Sequence, residues 1–482
     1  MIKPQAYEPQ AENTPLWQAI LPVLVLIALI AYGLIIRPLV MNEPQLPLEI
    51  IFILGASFTV AQLRLVGHRW RDIQKSVVSK FQNAIPAFLI LFCVGMVIGS
   101  WIVCGTIPML VYFGLKSIDP AWLYLLSFLA PIIFSTLTGT SWGSVGTIGV
   151  VLIGIAAAFE ANLGITAGAI IGGAYFGDKL SPLSDTTNVA ALAADVDLYD
   201  HIRSMLWTTL PSAIVAALIY GLLGSVYPPT VKGDELDQLE PFLKSFESIF
   251  HFSWWLLLPP AIVLVGSLFK IPTVPVLVLS ILVACGLAWA VQPFSLTDII
   301  ATVHKGFDVS MASWVDDVPS EVKVLLNRGG LYELSEAIII AMMVFVFIGA
   351  MDHIRAMPTV VEALLKSVES PRATVLGTLL VTAIANALTS SMYAASFIVG
   401  DAFKSKYDRQ GVDRSVLSRS LEDAGTMIES ILPWHPTAVF MVTTLNVAWS
   451  DYAPWQLLSL INICVAIGMP LIGMGITRTR EP

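Results

Sequence analysis

The stretch GDKLSPLSDTTNVAA, residues 177–191, places a dense group of polar side chains directly after an apolar, glycine-rich run at 164–176. The run has the composition of a membrane helix, and ionisable side chains at membrane depth are costly and usually serve function. Pro182 lacks a backbone donor, and the Ser, Asp and Asn side chains around it compete for backbone groups. The sequence therefore predicts a helix that breaks here and lines a cavity within the membrane.

The whole composition is that of a polytopic membrane protein. The 482 residues are 56% hydrophobic and only 13% charged. The length and number of the apolar runs predict an all-α protein with roughly ten to twelve elements that span or enter the bilayer. The net charge of -9, without a basic stripe, argues against nucleic acid as a partner. All four cysteines lie in apolar runs, which indicates buried thiols rather than disulfides or metal ligands.

Lysine and arginine collect in the segments 64–80 and 402–420. Cytoplasmic loops of membrane proteins carry an excess of these residues, so we place both segments and both chain termini in the cytoplasm. The predicted organisation is a cytoplasmic tail at 1–15, a first membrane repeat at 16–226, an external connector at 227–253, a second membrane repeat at 254–476 and a cytoplasmic tail at 477–482.

The two membrane halves share a pair of features. LTGTSW at 137–142 resembles LTSSMY at 388–393, and each is followed by an acidic stretch. The connector in the first half, 156–164, has one glutamate and no basic residue, whereas the connector in the second half, 402–420, is basic. This opposite charge places them on opposite sides of the membrane. We therefore predict an inverted-topology repeat with discontinuous helices and re-entrant hairpins, and a site near the midplane between the halves.

Asp178 and Asp185 are the predicted carboxylate ligands of a small hard cation. They are seven residues apart in the sequence, and a break at Pro182 would bring them closer than a continuous helix allows. Carboxylate, hydroxyl and carbonyl oxygens suit small hard cations, and a carboxylate in a low-dielectric cavity can exchange a proton for a cation. The predicted ion- or substrate-binding residues are Thr138, Thr140, Ser141, Asp178, Ser181, Ser184, Asp185, Thr186, Thr187 and Asn188 in the first half, and Thr389, Ser390, Ser391, Asp423, Thr426 and His435 in the second.

Simpler interpretations stand beside these. Lys179 could neutralise one of the two aspartates in a structural salt bridge, although adjacent helical side chains point apart, which weakens a pair with Asp178. The glycines between 164 and 177, spaced four apart, favour close helix packing. The G-x-S-x-G pattern around Ser141 lacks the strand that a hydrolase nucleophile needs. An intramembrane aspartyl protease built on Asp178 is a further alternative, but the sequence before it lacks the first glycine of G-x-G-D.

The second acidic stretch contains residues with different expected depths. Glu422 is expected at the cytoplasmic rim, and Asp423 and Glu429 lie deeper. His435 either titrates near neutral pH or is a satisfied hydrogen-bonding residue. We expect Asp423→Asn to affect transport mildly, as it would if no lysine faces that carboxylate; the loss would be more severe if the two halves contribute equally.

The run GDKLSPLSDTTN at 177–188 resembles the NhaC family of bacterial sodium/proton antiporters, as do TGTSWGSVGTIG at 138–149, RGGL at 328–331 and LSRSLEDAGT at 417–426. The resemblance implies a secondary transporter, not an enzyme, in the bacterial plasma (inner) membrane. It would exchange Na⁺ for H⁺ by alternating access, with sodium bound at Asp178 and Asp185, and need no cofactor. The run ESILPWHP at 429–436 departs from the family pattern, which has an asparagine after Pro-Trp.

The resemblance leaves the transported substrate open. Some similar proteins couple ion exchange to organic acids, as in malate/lactate exchange, and others carry amino acids. The alternative is therefore a sodium- or proton-coupled carrier of a small carboxylate or amino acid. The expected partners are Na⁺, H⁺ and the lipid bilayer, with an organic substrate and a homodimer as open options.

Overall fold

The computed structural model describes residues 15–230, 240–269, 271–315, 318–365 and 369–478. These segments are mainly helical, and the β-type pairing within them is an isolated bridge between Val412 and Arg478. Seven of the described helices are long and apolar enough to cross a membrane, or ten if each of three bent helix pairs counts as one span. An all-α, multi-pass membrane protein is therefore confirmed.

The helices of the first half are α1 (Leu16–Ile30), α2 (Arg37–Val40), α3 (Leu48–Leu65), α4 (Trp70–Val103), α5 (Thr106–Ser117), α6 (Leu123–Thr138), α7 (Ser141–Ser144), α8 (Val150–Ala158), α9 (Leu163–Leu180), α10 (Asp185–Ala193) and α11 (Leu198–Val226). The central helices are α12 (Glu240–Ile249), α13 (Leu258–Leu268), α14 (Thr273–Val291), α15 (Leu296–Lys305) and α16 (Ser320–Leu326). The second half contains α17 (Ser335–His353), α18 (Ala356–Leu365), α19 (Pro371–Thr389), α20 (Met392–Arg409), α21 (Arg414–Ala424), α22 (Pro436–Leu445), α23 (Trp449–Tyr452) and α24 (Leu457–Leu471).

The first half contains a helical hairpin whose tip is at Gly139 and Thr140. One arm is α6, and the other is α7 and α8 joined by a π-helical turn at Val145–Gly149. Gly139 has a left-handed φ of 68°, and a Cβ there would lie 2.7 Å from the backbone of Leu183. The position therefore requires glycine. The Thr140 hydroxyl accepts the backbone N–H of Gly143 at 3.2 Å, so a helix end is followed at once by a capped helix start.

The second half repeats this geometry in the hairpin of α19 and α20. Ser390 takes the left-handed position with a φ of 46°. Ser391 is the next residue, and its hydroxyl accepts the backbone N–H of Ala394 at 3.3 Å. Both tips thus have a residue in the left-handed conformation followed by a residue whose hydroxyl caps the next helix. This shared geometry supports the repeat predicted from the sequence.

Two interrupted helices accompany these hairpins. α9 ends at Leu180, and the non-helical residues 181–184, which include Pro182, separate it from α10. α21 ends at Ala424, and residues 425–435 separate it from α22. The predicted helix break at Pro182 is therefore confirmed, and the second half has its own, longer break.

The interrupted helices run in opposite directions. α9 begins beside the segment that follows α22, because a Cβ on Gly164 would lie 2.3 Å from the carbonyl oxygen of Asp451. α10 ends near the start of α21, where Asp195 binds Lys404 at 2.8 Å and Arg414 at 3.2 Å. The second unit thus starts at the end of the molecule where the first one finishes. An inverted-topology repeat requires this antiparallel order.

Each interrupted helix also contacts the hairpin of the other half. α10 packs on α20 backbone to backbone, since a Cβ on Gly400 would lie 2.5 Å from the carbonyl oxygen of Ala193. α22 contacts the first hairpin through a side chain, and a Cβ on Gly149 would lie 3.5 Å from Cδ2 of Leu445. Each half therefore packs against the hairpin of the other, and α10 approaches α20 more closely than α22 approaches the first hairpin.

The glycines of α9 serve helix packing, as the spacing predicted. A Cβ on Gly173 would lie 2.1 Å from the carbonyl oxygen of Phe128, and one on Gly177 would lie 2.5 Å from the amide nitrogen of Thr136. Both contacts are with the backbone of α6. Close approach of the two helix backbones sets the position of the break relative to the first tip.

Each end of the described chain lies beside one of the basic segments. The backbone N–H of Asp413, in the connector before α21, donates to the carbonyl oxygen of Thr477 at 2.9 Å. The side chain of Gln62, near the end of α3, donates to the carbonyl oxygen of Gln18 at 3.1 Å. This arrangement agrees with a common side for chain ends and basic segments. That this side is the cytoplasm stays a prediction.

Candidate ion-binding site

Asp178 lies three residues before the first break and is only 4% exposed. Its Oδ1 has no hydrogen-bond partner among the described residues. The carboxyl group lies beside Ser141 from the first tip and Ser184 from the break, and Asp185 is near enough to repel its charge. Burial of an ionised carboxylate with an unsatisfied oxygen is unfavourable. Asp178 therefore needs a proton or a cation.

The other polar residues of the first break fix its shape. The Thr187 hydroxyl donates to a carbonyl oxygen near the end of α9 at 3.0 Å, and the Ser181 hydroxyl donates to one in α6 at 2.9 Å. The Asn188 amide donates to the carbonyl oxygen of Ser184 at 2.6 Å. The hydroxyls of Ser184 and Thr186 are 3.0 Å apart and bond to each other. The hydroxyl oxygens of these last two residues are the better placed to serve as ligands.

Asp185 differs from Asp178 because it is exposed. It is the first residue of α10, where the helix dipole favours a negative charge. Its Oδ2 accepts the hydroxyl hydrogen of Tyr393 at 2.7 Å, and its Oδ1 accepts the backbone N–H of Thr186 at 3.1 Å. Tyr393 belongs to α20, so both repeats contribute to the surroundings of this carboxylate.

The three predicted residues of the first tip have different surroundings. The hydroxyl of Thr138 lies 3.4 Å from that of Ser144, and Thr140 is the helix cap described above. Ser141 is 5% exposed and lies beside Asp178. Of the three, Ser141 is the one that the structure brings to the buried carboxylate.

The second tip is organised by its own hydrogen bonds. The Thr389 hydroxyl donates to the carbonyl oxygen of Ser391 at 3.1 Å, and Ser391 caps α20. Ser390 is 8% exposed. Among the described residues, the contact between this region and the first half is made three residues later, by Tyr393 with Asp185.

Asp423 forms a buried ion pair with Lys179, and the two side chains are 1% and 0% exposed. Its Oδ1 also accepts hydrogen bonds from Thr208 at 3.0 Å and from Asn462 at 2.9 Å. Arg419 Nε lies 3.9 Å from its Oδ2. The structure therefore places the Lys179 ammonium on Asp423, not on Asp178. Asp423, a predicted ligand, already has its negative charge balanced.

Glu422 lies next to this pair and is completely buried. It is buried because α21 is surrounded by α10, α11, α19 and α20. That Glu422 lies at the cytoplasmic rim of the membrane stays a prediction. Its Oε2 accepts a hydrogen bond from Thr426, a predicted site residue. Its Oε1 has no hydrogen-bond partner in the described part of the chain.

The long second break carries a further carboxylate, Glu429. Its oxygens accept hydrogen bonds from Thr437 at 3.1 Å and Asn386 at 3.4 Å, and His435 lies 3.8 Å away. His435 caps α22, since its Nδ1 accepts the backbone N–H of Thr437 at 3.2 Å, and its Nε2 lies 3.4 Å from Asn386 Oδ1. This geometry favours the interpretation of His435 as a satisfied hydrogen-bonding residue.

Arg328, from the RGGL motif, reaches the end of α22. Its Nη2 donates to the carbonyl oxygen of Thr444 at 2.6 Å, and its Nε lies 3.5 Å from Glu333. The motif's Gly330 donates its backbone N–H to the carbonyl oxygen of Gly95 in α4 at 2.7 Å. RGGL therefore connects α22 to α4 rather than contributing to the Asp178 site.

Sequence reasoning missed three residues that belong to this region: Tyr393, Asn386 and the buried Glu422. Tyr393 ends LTSSMY, and its alignment with LTGTSW drew attention only to the hydroxyls before it. Asn386 has no motif around it, and its role follows from donating to the carbonyl oxygen of Gly425 at 2.9 Å. Both contacts join distant parts of the chain, and nothing in the sequence specifies them.

The sequence of the chain is similar to those of known membrane antiporters. The sequence profile of the Na⁺/H⁺ antiporter family matches residues 173–474, a region that contains most of both interrupted helices. The chain is 40% identical over 464 residues to an uncharacterized Na⁺/H⁺ antiporter of Haemophilus influenzae, covering 96% of this chain and 97% of that one. It is 34% identical over 469 residues to the malate-2H⁺/Na⁺-lactate antiporter of Bacillus subtilis, covering 92% and 98%. It is 32% identical over 440 residues to the Na⁺/H⁺ antiporter NhaC of Alkalihalophilus pseudofirmus, covering 91% and 92%.

Proposed function

Because the chain belongs to the Na⁺/H⁺ antiporter family, we propose that it exchanges sodium for protons across the bacterial plasma membrane by alternating access. The single observation that supports this most directly is Asp178, a buried carboxylate with an unpartnered oxygen at a helix break. Such a group is stable only when it holds a proton or a cation. Competition between the two for one carboxylate is sufficient to couple their movements.

The proposed cycle uses oxygens from both sides of the break. When sodium enters, the Asp178 carboxyl loses its proton to water and its oxygens coordinate the ion. The hydroxyls of Ser141 and Ser184, which lie beside Asp178, complete part of the coordination. Asp185, at the exposed N-terminus of α10, attracts the cation from the aqueous side. Sodium and a proton then occupy the site in turn, never together.

The test is sodium transport in proteoliposomes as a function of pH. Because both ions compete, we expect the apparent Km for sodium to rise at least about tenfold for each unit that the pH falls below the proton affinity of the site, with the maximal rate little changed. Asp178→Asn and Asp185→Asn keep side-chain shape but remove the charge, so exchange should be lost in the first and strongly reduced in the second.

Asp200→Asn is the matched control, because Asp200 is an exposed residue at the start of α11, outside the site. It should transport like the wild type. A sodium Km that stays flat over two pH units, together with an active Asp178→Asn variant, would contradict the proposal.

A second candidate function is coupled carriage of a small carboxylate, and the observation in its favour is the 34% identity to the malate-2H⁺/Na⁺-lactate antiporter. The same proteoliposomes separate the two candidates. Sodium/proton exchange in buffer free of organic acids supports the first. Sodium flux that appears only after adding malate, lactate or an amino acid supports the second.

A further inference from the structure

We propose that Glu422 is a second ion-carrying carboxylate, supplied by the second repeat, and that it loses a proton together with Asp178 when sodium binds. This inference rests on the proposed sodium/proton exchange. In the step, the O–H bond of each carboxyl group breaks, both protons leave to water, and the two carboxylates share the bound sodium ion.

The repeat places Glu422 and Asp178 at equivalent positions. Asp178 is the third residue from the C-terminal end of α9, and Glu422 is the third residue from the C-terminal end of α21. Each is followed by one charged residue, Lys179 or Asp423, then by the last residue of the helix, and then by the break. The two residues of the buried ion pair are thus repeat-related to each other, and so are the two carboxylates beside them.

The lengths of the surrounding elements agree with this correspondence. The arm Ser141–Ala158 after the first tip has 18 residues, as does α20 after the second tip. The interrupted helix that follows has 18 residues in α9 and 11 in α21, a difference of about two helical turns. A whole number of turns keeps the same face of the helix toward the centre, so the last turn of α21 can present Glu422 as α9 presents Asp178.

Both carboxylates lack a partner for one oxygen. Glu422 is 0% exposed and Asp178 is 4% exposed. Glu422 Oε1 and Asp178 Oδ1 are both buried without a hydrogen-bond partner among the described residues. The two groups are close enough to repel each other electrostatically. Two buried like charges with unsatisfied oxygens are unfavourable together, so both need protons or a shared cation.

The neighbouring charged groups do not supply the partners that Asp178 and Glu422 lack. Lys179 attracts Glu422, but its ammonium is hydrogen-bonded to Asp423, which also lies near Arg419. Glu429 is a further buried carboxyl group, and its two oxygens already accept hydrogen bonds from Thr437 and Asn386. Within this group of residues, Asp178 and Glu422 are therefore the pair of carboxyl groups that each keep a buried oxygen without a hydrogen-bond partner.

The first test uses carbodiimide labelling of the wild-type protein in liposomes, read by mass spectrometry of the modified peptides. The reagent couples to protonated buried carboxyl groups, so an ion that displaces the proton slows the reaction. We expect saturating sodium to slow labelling of both Asp178 and Glu422 at least fivefold, whereas the same concentration of choline has no effect. Protection of Asp178 without protection of Glu422 would overturn this inference and leave the proposed function standing. Protection of neither would count against the proposed function itself.

The second test measures coupling in Glu422→Gln. At zero membrane potential, the sodium gradient that balances a fixed pH gradient gives the number of protons exchanged per sodium ion. We expect this number to fall by one proton per cycle in Glu422→Gln. It should stay at the wild-type value in Glu160→Gln, an exposed residue between α8 and α9. An unchanged ratio in a folded, transporting Glu422→Gln variant would show that Glu422 is structural. If that variant does not fold, the labelling test decides alone.

Discussion

The ion pair between Lys179 and Asp423 makes a quantitative prediction about stability. Both side chains are almost completely buried, and Asp423 also accepts hydrogen bonds from Thr208 and Asn462. Asp423→Asn keeps an oxygen for these two donors but leaves the Lys179 ammonium without its counter-charge. Removing one partner of a buried pair costs about 3–5 kcal/mol, so we expect a loss of this size in the free energy of unfolding. Because Lys179 faces Asp423, the condition under which Asp423→Asn would affect transport only mildly is not met.

Substitution of the other partner of the ion pair, Lys179, should lower the free energy of unfolding by less. In Lys179→Met the Asp423 carboxylate keeps Thr208 and Asn462, and Arg419 lies 3.9 Å from its Oδ2. We therefore expect Lys179→Met to lower the free energy of unfolding by about 3 kcal/mol, the lower end of the same range. In the double variant neither buried charge remains. Its cost should be smaller than the sum of the two single costs by about 3 kcal/mol.

The assay is reversible unfolding of the purified protein in mixed micelles, with the four proteins compared in one double-mutant cycle. Thr208→Val is the control, because it removes one hydrogen bond to Asp423 and no charge, and should cost about 1 kcal/mol. Single-variant costs that add within about 0.5 kcal/mol would refute the reasoning, since independent sites behave in that way.

Three further predictions concern the repeat and its packing. Single cysteines at Glu160 and Gln410, in the two connectors, should react with an impermeant thiol reagent from opposite sides of the membrane, with Glu160 outside; reaction from one side only would exclude the inverted repeat. Gly177→Val should lower the yield of folded protein by more than Gly286→Val, because a Cβ at 177 would lie 2.5 Å from a backbone nitrogen of α6 whereas Gly286 has no neighbour within 4 Å. Asn386→Ala should cost about 1–3 kcal/mol of unfolding free energy, since it leaves a buried carbonyl at the end of α21 without its donor; equal stability of variant and wild type would show that this bond contributes nothing.

Local features of the fold could be predicted from the sequence because their causes are local. Pro182 and the hydroxyl-rich stretches interrupt helices through their own backbone chemistry, and the glycine spacing of α9 requires a close neighbour whatever that neighbour is. The charge of the two connectors indicated the antiparallel order before any contact was known.

Contacts between the halves could not be predicted in the same way. The pairing of Lys179 with Asp423 depends on how two helices more than 200 positions apart in the sequence are rotated against each other, and no local pattern records that rotation. The burial of Glu422 could not be predicted for a related reason, because burial depends on how many helices surround α21, which the sequence of α21 alone does not give.

The unequal packing of the two interrupted helices has a consequence for how the protein changes state. Ala193 and Thr444 are each the ninth residue of their helix, and Gly400 and Gly149 are each the ninth residue after their hairpin tip. The carbonyl oxygen of Ala193 lies against Gly400, whereas that of Thr444 is held by Arg328 at 2.6 Å. Equivalent carbonyls thus occupy two different environments, one closed and one open.

If the repeats exchange conformations during transport, Thr444 leaves Arg328 and closes onto Gly149 while Ala193 separates from Gly400. Arg328 then keeps the free energies of the two states similar. Its hydrogen bond to Thr444 stabilises the open state and offsets the contact with Gly149 that α22 forms only in the closed state. Arg328→Gln should favour closure of α22 and expose a cysteine placed at Ala193, which is 1% exposed, to thiol reagents; unchanged reactivity would exclude this exchange. The resting preference of the transporter for one side of the membrane would accordingly be set by a guanidinium outside the ion site, and not by the ions it carries.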